Sequence, residues 1–182
     1  MQPGLRPRRA YKRIMGTLDE LPDRARLRLL PVTPALDEQA AQALAEALDR
    51  LFAQFVREGR TERWAVEALG GGAVLAIAYD GGDELSGCSH DKIAQVLSVH
   101  EQRGGRALLA APPLVLEVDG APRCTDRAGL RALVAAGAVG PDTIHWDLRV
   151  ITLGEWRAHG RAPARGTWLA PLIARAAGAG PG

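Results

Sequence analysis

One short stretch gathers most of the groups in this chain that could do chemistry: Glu84-Leu85-Ser86-Gly87-Cys88-Ser89-His90-Asp91-Lys92. A thiol, an imidazole, a carboxylate and two hydroxyls surround one glycine. With Ser89 as a helix cap, Cys88 falls just before the helix. Unpaired backbone N–H groups and the positive end of the helix dipole then face its sulfur. Such positions favour the thiolate and make a nucleophile. His90 could assist by ion pairing, and Gly87 permits close approach of a ligand. Asp83, Glu84 and Asp91 act the other way, since nearby negative charge favours the neutral thiol.

Three uses of the stretch stay open. Cys88, His90 and Asp91 are the catalytic candidates of a thiol-dependent enzyme or redox sensor. Ser86, Gly87 and Ser89 are the ligand-binding candidates of a module without chemistry, suited to a small anion or a partner's carboxylate. A buried structural cysteine beside an ordinary cap is the third. Cys88-x-His90 supplies only two metal ligands, whereas zinc needs three or four, and Cys124, His100 and His145 stand at no recognisable ligand spacing. No metal and no cofactor is therefore expected. Nothing in the spacing supports a Cys88–Cys124 redox pair.

The elements around the stretch can be read from periodicity and punctuation. Arg26 to Val32 predicts a first strand, with Pro31 marking an edge or an end. Thr33-Pro34 predicts a helix start, and Ala41, Leu44, Leu48, Leu51, Phe52 and Phe55 put one face of that helix in the core, with Gly59 as its stop. Trp64–Leu69 and Ala73–Tyr79, joined by three glycines, predict a hairpin. That joint is no phosphate loop, because no Lys or Ser/Thr follows at Walker spacing.

After the central stretch, Ser89 to Arg103 predicts a helix with Ile93, Val96, Leu97 and His100 inward. Leu114–Val118 predicts a strand ending in an Asp119-Gly120 turn. A helix capped by Thr125 or Asp126 carries Leu130, Leu133 and Val134. A strand is expected over 143–151, with His145 and Asp147 facing out and Trp146 facing in. Thr152-x-x-Glu155 matches a capping box. Trp64, Trp146, Trp156 and Trp168 are expected as core or edge anchors.

This order predicts an α/β (α+β) fold, a mixed or antiparallel sheet with helices packed on it. The order up to residue 118 fits a split βαββαβ ferredoxin-like core, followed by a C-terminal α-β-α extension. One globular domain is expected over 17–173, after a basic, disordered leader at 1–16 and before a flexible tail at 174–182.

Composition narrows the function classes. The chain has 182 residues, 47% of them hydrophobic but only 4% aromatic, so the core must be aliphatic. Net charge is +2, yet residues 1–30 hold eight basic and three acidic side chains. Only Lys12 and Lys92 are lysines. No interleaving of basic and stacking residues marks a nucleic-acid surface. No apolar run is long enough to span a membrane, and the first 16 residues lack the apolar core of a secretory signal. Two cysteines without an export signal predict free thiols in a cytoplasm.

Ser86-Gly87-Cys88-Ser89-His90-Asp91 resembles a motif of an uncharacterised family of small bacterial proteins, in which Ile or His stands at the fifth place. The likeness extends loosely over residues 24–172, through Gly137-Ala138-Val139, Asp142-Thr143-Ile144, Val150-Ile151-Thr152 and Trp168. Because Ile can replace His90, the resemblance strengthens Ser86, Gly87, Cys88, Ser89 and Asp91 as a unit and gives no support to a general base at His90. Some members carry the label ABC transporter ATPase. Leu85-Ser86-Gly87 is similar to the start of the ABC signature, but this chain has no G-x-x-x-x-G-K-[ST] loop.

Overall fold

The computed structural model describes residues 16–81 and 85–178. The expected leader lies outside these residues, except for Gly16. Asp83, Glu84 and the last four positions of the expected tail also lie outside them.

Three antiparallel strands form a first sheet, in the order β1 (Arg26–Pro31), β3 (Val74–Asp80), β2 (Arg63–Leu69). Side chains alternate between its faces. Leu30, Trp64, Val66, Leu75 and Ile77 face one way, onto helices α1 (Glu38–Arg57) and α2 (Gly87–Gly104). Leu27, Leu29, Ala65, Val74, Ala76 and Ala78 face the other way. Against that second face lies a four-stranded sheet, in the order β5 (Ala121–Thr125), β4 (Leu114–Val118), β6 (Ile144–Trp146), β7 (Arg161–Pro163). Its outer face buries Leu114, Leu116 and Val118 against α3 (Arg127–Ala135) and α5 (Ala170–Gly178). The result is four layers: helices, sheet, sheet, helices. Small α4 (Leu153–His159) sits at the seam, with Leu153 in the core between the sheets.

The mixed α/β architecture with helices packed on sheet is as expected, but the closing strand of a ferredoxin-like sheet is absent. β4 pairs with β5 and β6 and not with β1. Beside β1 runs the segment around Thr152 instead: Leu27 donates its N–H to the Ile151 carbonyl at 2.9 Å. β5 was not expected. Asp119 (φ 54°) and Gly120 (φ 79°) make a turn whose two positive φ values match the twist of a hairpin, so the chain doubles straight back.

Several boundaries also differ. α1 begins at Glu38 with Asp37 as cap, not at Thr33-Pro34. Thr33 exchanges backbone hydrogen bonds with Ala107, and Leu36 donates to Gly72, so tertiary partners take the donors a helix start would use. That contact explains Gly72 (φ 88°), where a Cβ would overlap the Leu36 carbonyl. β6 stops at Trp146, short of the expected 143–151. Asp147 accepts the N–H and guanidinium of Arg149 and folds the chain into a turn. His145 does not face solvent. Both faces of this sheet are covered, so Trp146 is buried between the sheets and His145 under Trp168. Residues 174–178, expected as the start of the tail, are the last turns of α5, with Ala176 buried. Three of the four sheet edges, β1, β5 and β7, carry a proline: Pro31, Pro122 and Pro163.

Candidate functional site

The chain leaves β3 at Asp80 and enters α2 at Gly87, with Ser86 as cap residue rather than Ser89. Ser86 has extended backbone, and its carbonyl accepts from Ser89 N–H (2.9 Å) and His90 N–H (3.1 Å). Its hydroxyl does not cap the helix. Instead Arg60, in the loop between α1 and β2, donates from Nη1 to Ser89 Oγ (2.7 Å) and Ser86 Oγ (3.3 Å). The Nε of Arg60 is held by Glu58 at 2.8 Å. The hydrogen bond that Gln54 donates to Glu58 holds the Glu58 carboxyl below its usual range; desolvation opposes this, and the charges of Arg60 and Lys92 add to it.

This arrangement leaves the backbone N–H groups of Gly87 and Cys88 without a partner among the described residues. An α-helix start has four such donors, and here only the later ones turn back onto Ser86. Cys88 is exposed, Ser89 is fully buried, and His90 and Asp91 are exposed. A Cβ on Gly87 would meet nothing, so this glycine allows open access but no tight contact demands it.

The three catalytic candidates share one helical turn but do not converge. Residues two apart on a helix lie about 200° around its axis, so His90 points away from Cys88. Among the described residues no hydrogen bond joins Cys88 to His90 or Asp91. His90 instead lines a cleft of about 470 Å³ under the start of α2. Ile77, Leu85 and Ile93 are apolar members of that cleft, Ile151 adds an exposed apolar group, and Arg26 and Arg28 of β1 bring positive charge. Arg28 forms no ion pair among the described residues. At the far end of β3, Asp80 is buried. Burial alone would raise its carboxyl, but hydrogen bonds and charge from Arg63 and Arg24 outweigh this and hold it below the usual range.

Cys124, the other thiol, sits on β5 in the second sheet, so the first sheet separates it from α2. It donates to the carbonyls of Val32 (3.4 Å) and Ala73 (3.5 Å), and burial pushes its pKa up, which suits packing rather than reaction. Among the described residues no group of three or more His, Cys, Asp or Glu is arranged to hold a metal ion. No described helix is long and apolar enough to cross a membrane.

Sequence reasoning missed Arg60, Arg26 and Arg28. Arg60 lies 26 residues from Ser86, and no local pattern links them. Arg26 and Arg28 alternate along β1, and that period does place them on one face, the face that Leu30 assigns to the helices. No family model matches this chain, and neither does any curated protein or solved structure.

Proposed function

We propose that this chain is a small binding or regulatory module, bacterial and cytoplasmic, whose ligand site is the start of α2 at Ser86–Asp91. The ligand is a small anion or the carboxylate of a partner. The observation that carries the reading is the open helix start. Two backbone N–H donors, on Gly87 and Cys88, have no partner among the described residues, close to the Arg60 guanidinium and at a position that solvent reaches. Helix N-termini of this kind bind anions because donors and dipole act together. The resemblance of Ser86–Asp91 to a motif of small bacterial proteins agrees with a shared binding loop.

The test is a sulfate and acetate titration followed by amide NMR. The Gly87 and Cys88 signals should move saturably, and Arg60→Gln should weaken the response about tenfold, as expected for a lost charge-assisted contact. Movement spread evenly over the surface, unaffected by Arg60→Gln, would reject the site.

A second reading follows from the exposure of Cys88 at the second position of α2. A thiol there meets the helix dipole, and a thiol enzyme or redox sensor would use it. Alkylation of Cys88 by iodoacetamide faster than that of a free cysteine peptide, and lost in Cys88→Ser, would favour this reading over simple binding.

A further inference from the structure

The cleft between α3 and α5 carries a charge that its own surroundings leave unmatched. Arg127 and Arg131 of α3 and Arg175 of α5 ring it, over a floor of Leu130, Leu172 and Ala176, with a volume of about 480 Å³. Several arginines elsewhere in the fold are matched to carboxylates. Arg24 and Arg63 share Asp80, Arg157 holds Asp23, Arg161 holds Glu117, and Arg165 holds Asp142. Among the described residues the three arginines of the cleft hold none.

The placement is also unfavourable for the bare helix. Arg127 occupies the first position of α3, where the dipole is positive, and the first turn contains no acid. Asp126 offers some relief, but its carboxylate is engaged with the Gly129 N–H at 2.7 Å. Arg127 and Arg131 are four residues apart and so lie on one face, one turn above the other. Arginines one helical turn apart on one wall, with a third on the other, match carboxylates spaced one helical turn apart.

We propose that this cleft docks an acidic amphipathic helix of a partner protein. Glutamates flanking a stripe of leucine would pair with Arg127, Arg131 and Arg175, and the leucines would cover Leu172, which is half-buried in the cleft floor. The mode is a helix in a groove, with charge setting the register. The site lies on the opposite outer layer from α2 and does not depend on the anion site proposed there.

The experiment uses the full chain and a fluorescein-labelled, capped, alanine-based helix with a leucine stripe flanked by glutamates. Fluorescence anisotropy should show saturable binding that weakens steeply with salt and disappears when glutamine replaces glutamate in the peptide. Arg131→Glu and Arg175→Glu should each weaken binding at least about tenfold, and the milder Arg131→Gln should weaken it in the same direction. Arg123→Glu on β5 should leave it within about twofold. Thermal melting of each variant separates lost docking from lost folding. Equal binding of the glutamine peptide, or parental binding by both charge reversals, overturns the proposal. So does the absence of peptide binding together with Arg131-dependent retention on phosphatidylglycerol vesicles, an outcome that would assign the cleft to a lipid headgroup.

Discussion

At the start of α4, Thr152 and Glu155 satisfy each other's backbone: Glu155 N–H donates to Thr152 Oγ1 at 3.2 Å, and Thr152 N–H donates to Glu155 Oε2 at 3.1 Å. At the start of α2, Ser86 holds the equivalent position but its hydroxyl accepts from Arg60, and among the described residues the N–H groups of Gly87 and Cys88 have no partner. The first end is chemically complete and has nothing left to offer a ligand. The second is incomplete at its tip and must be held by its flank, where Ile93 and Leu97 are buried against α1 and the first sheet. A helix anchored by its side can leave its end open, and an open end is where an anion can bind.

Removing the anchor should have the largest effect. Leu97→Ala, at a site with no exposure, should cost about 2–5 kcal/mol in denaturant unfolding. A loss under about 1 kcal/mol would mean that the start of α2 is secured at its tip after all. Thr152→Ala removes the α4 cap and should cost about 1 kcal/mol. Ser86→Ala, which breaks no cap, should stay within about 0.5 kcal/mol while reducing anion binding. Equal costs for the two would erase the contrast.

Acid should separate the helix starts as well. The hydrogen bond from Ala40 N–H, joined by the Arg106 charge and opposed by slight burial, keeps the Asp37 carboxyl at the start of α1 below its usual range. The hydrogen bond from Ile151 N–H does the same for Glu155 at α4. Both folded pKa values are depressed, so their contribution to stability is present above the unfolded values, near about 4, and is lost as pH falls through the folded ones. Amide exchange, corrected for the intrinsic rate at each pH, should show the first turns of α1 and α4 opening with acid. Asp37→Asn should abolish the dependence at α1. The serine start of α2 should show no such step. This effect is the smallest of the set, because both carboxylates lie at the surface, where solvent screens them.

Much of this fold was legible because its cause was local. The face of α1, the three-glycine hairpin and the Thr152 box each follow from spacing within a few residues. The second sheet was legible only in part. Its β4 follows from an apolar run and β6 falls inside the strand expected over 143–151, but β5, which carries Pro122 and no apolar run, and the three-residue β7 give no strand signal. His145 was misplaced because a period of two tells which residues share a face and not whether that face is covered. The candidate stretch was placed correctly at the start of a helix. Its cap was misassigned by three residues, because Ser86 and Ser89 are equally good caps until Arg60 and the packing of Ser89 distinguish them.

The prolines at Pro31, Pro122 and Pro163 bear on how the molecule meets its neighbours. Each removes a main-chain donor from a strand that would otherwise be free to recruit another chain, and on β1 the lost donor falls on the outward alternate that Leu27 begins. At the remaining edge, β2, the Trp64 carbonyl accepts the Gly16 N–H. Growth of either sheet into a neighbouring molecule is thus resisted on nearly every side. Specific association is directed to the helical outer layers, which hold both the α2 tip and the arginine-ringed groove.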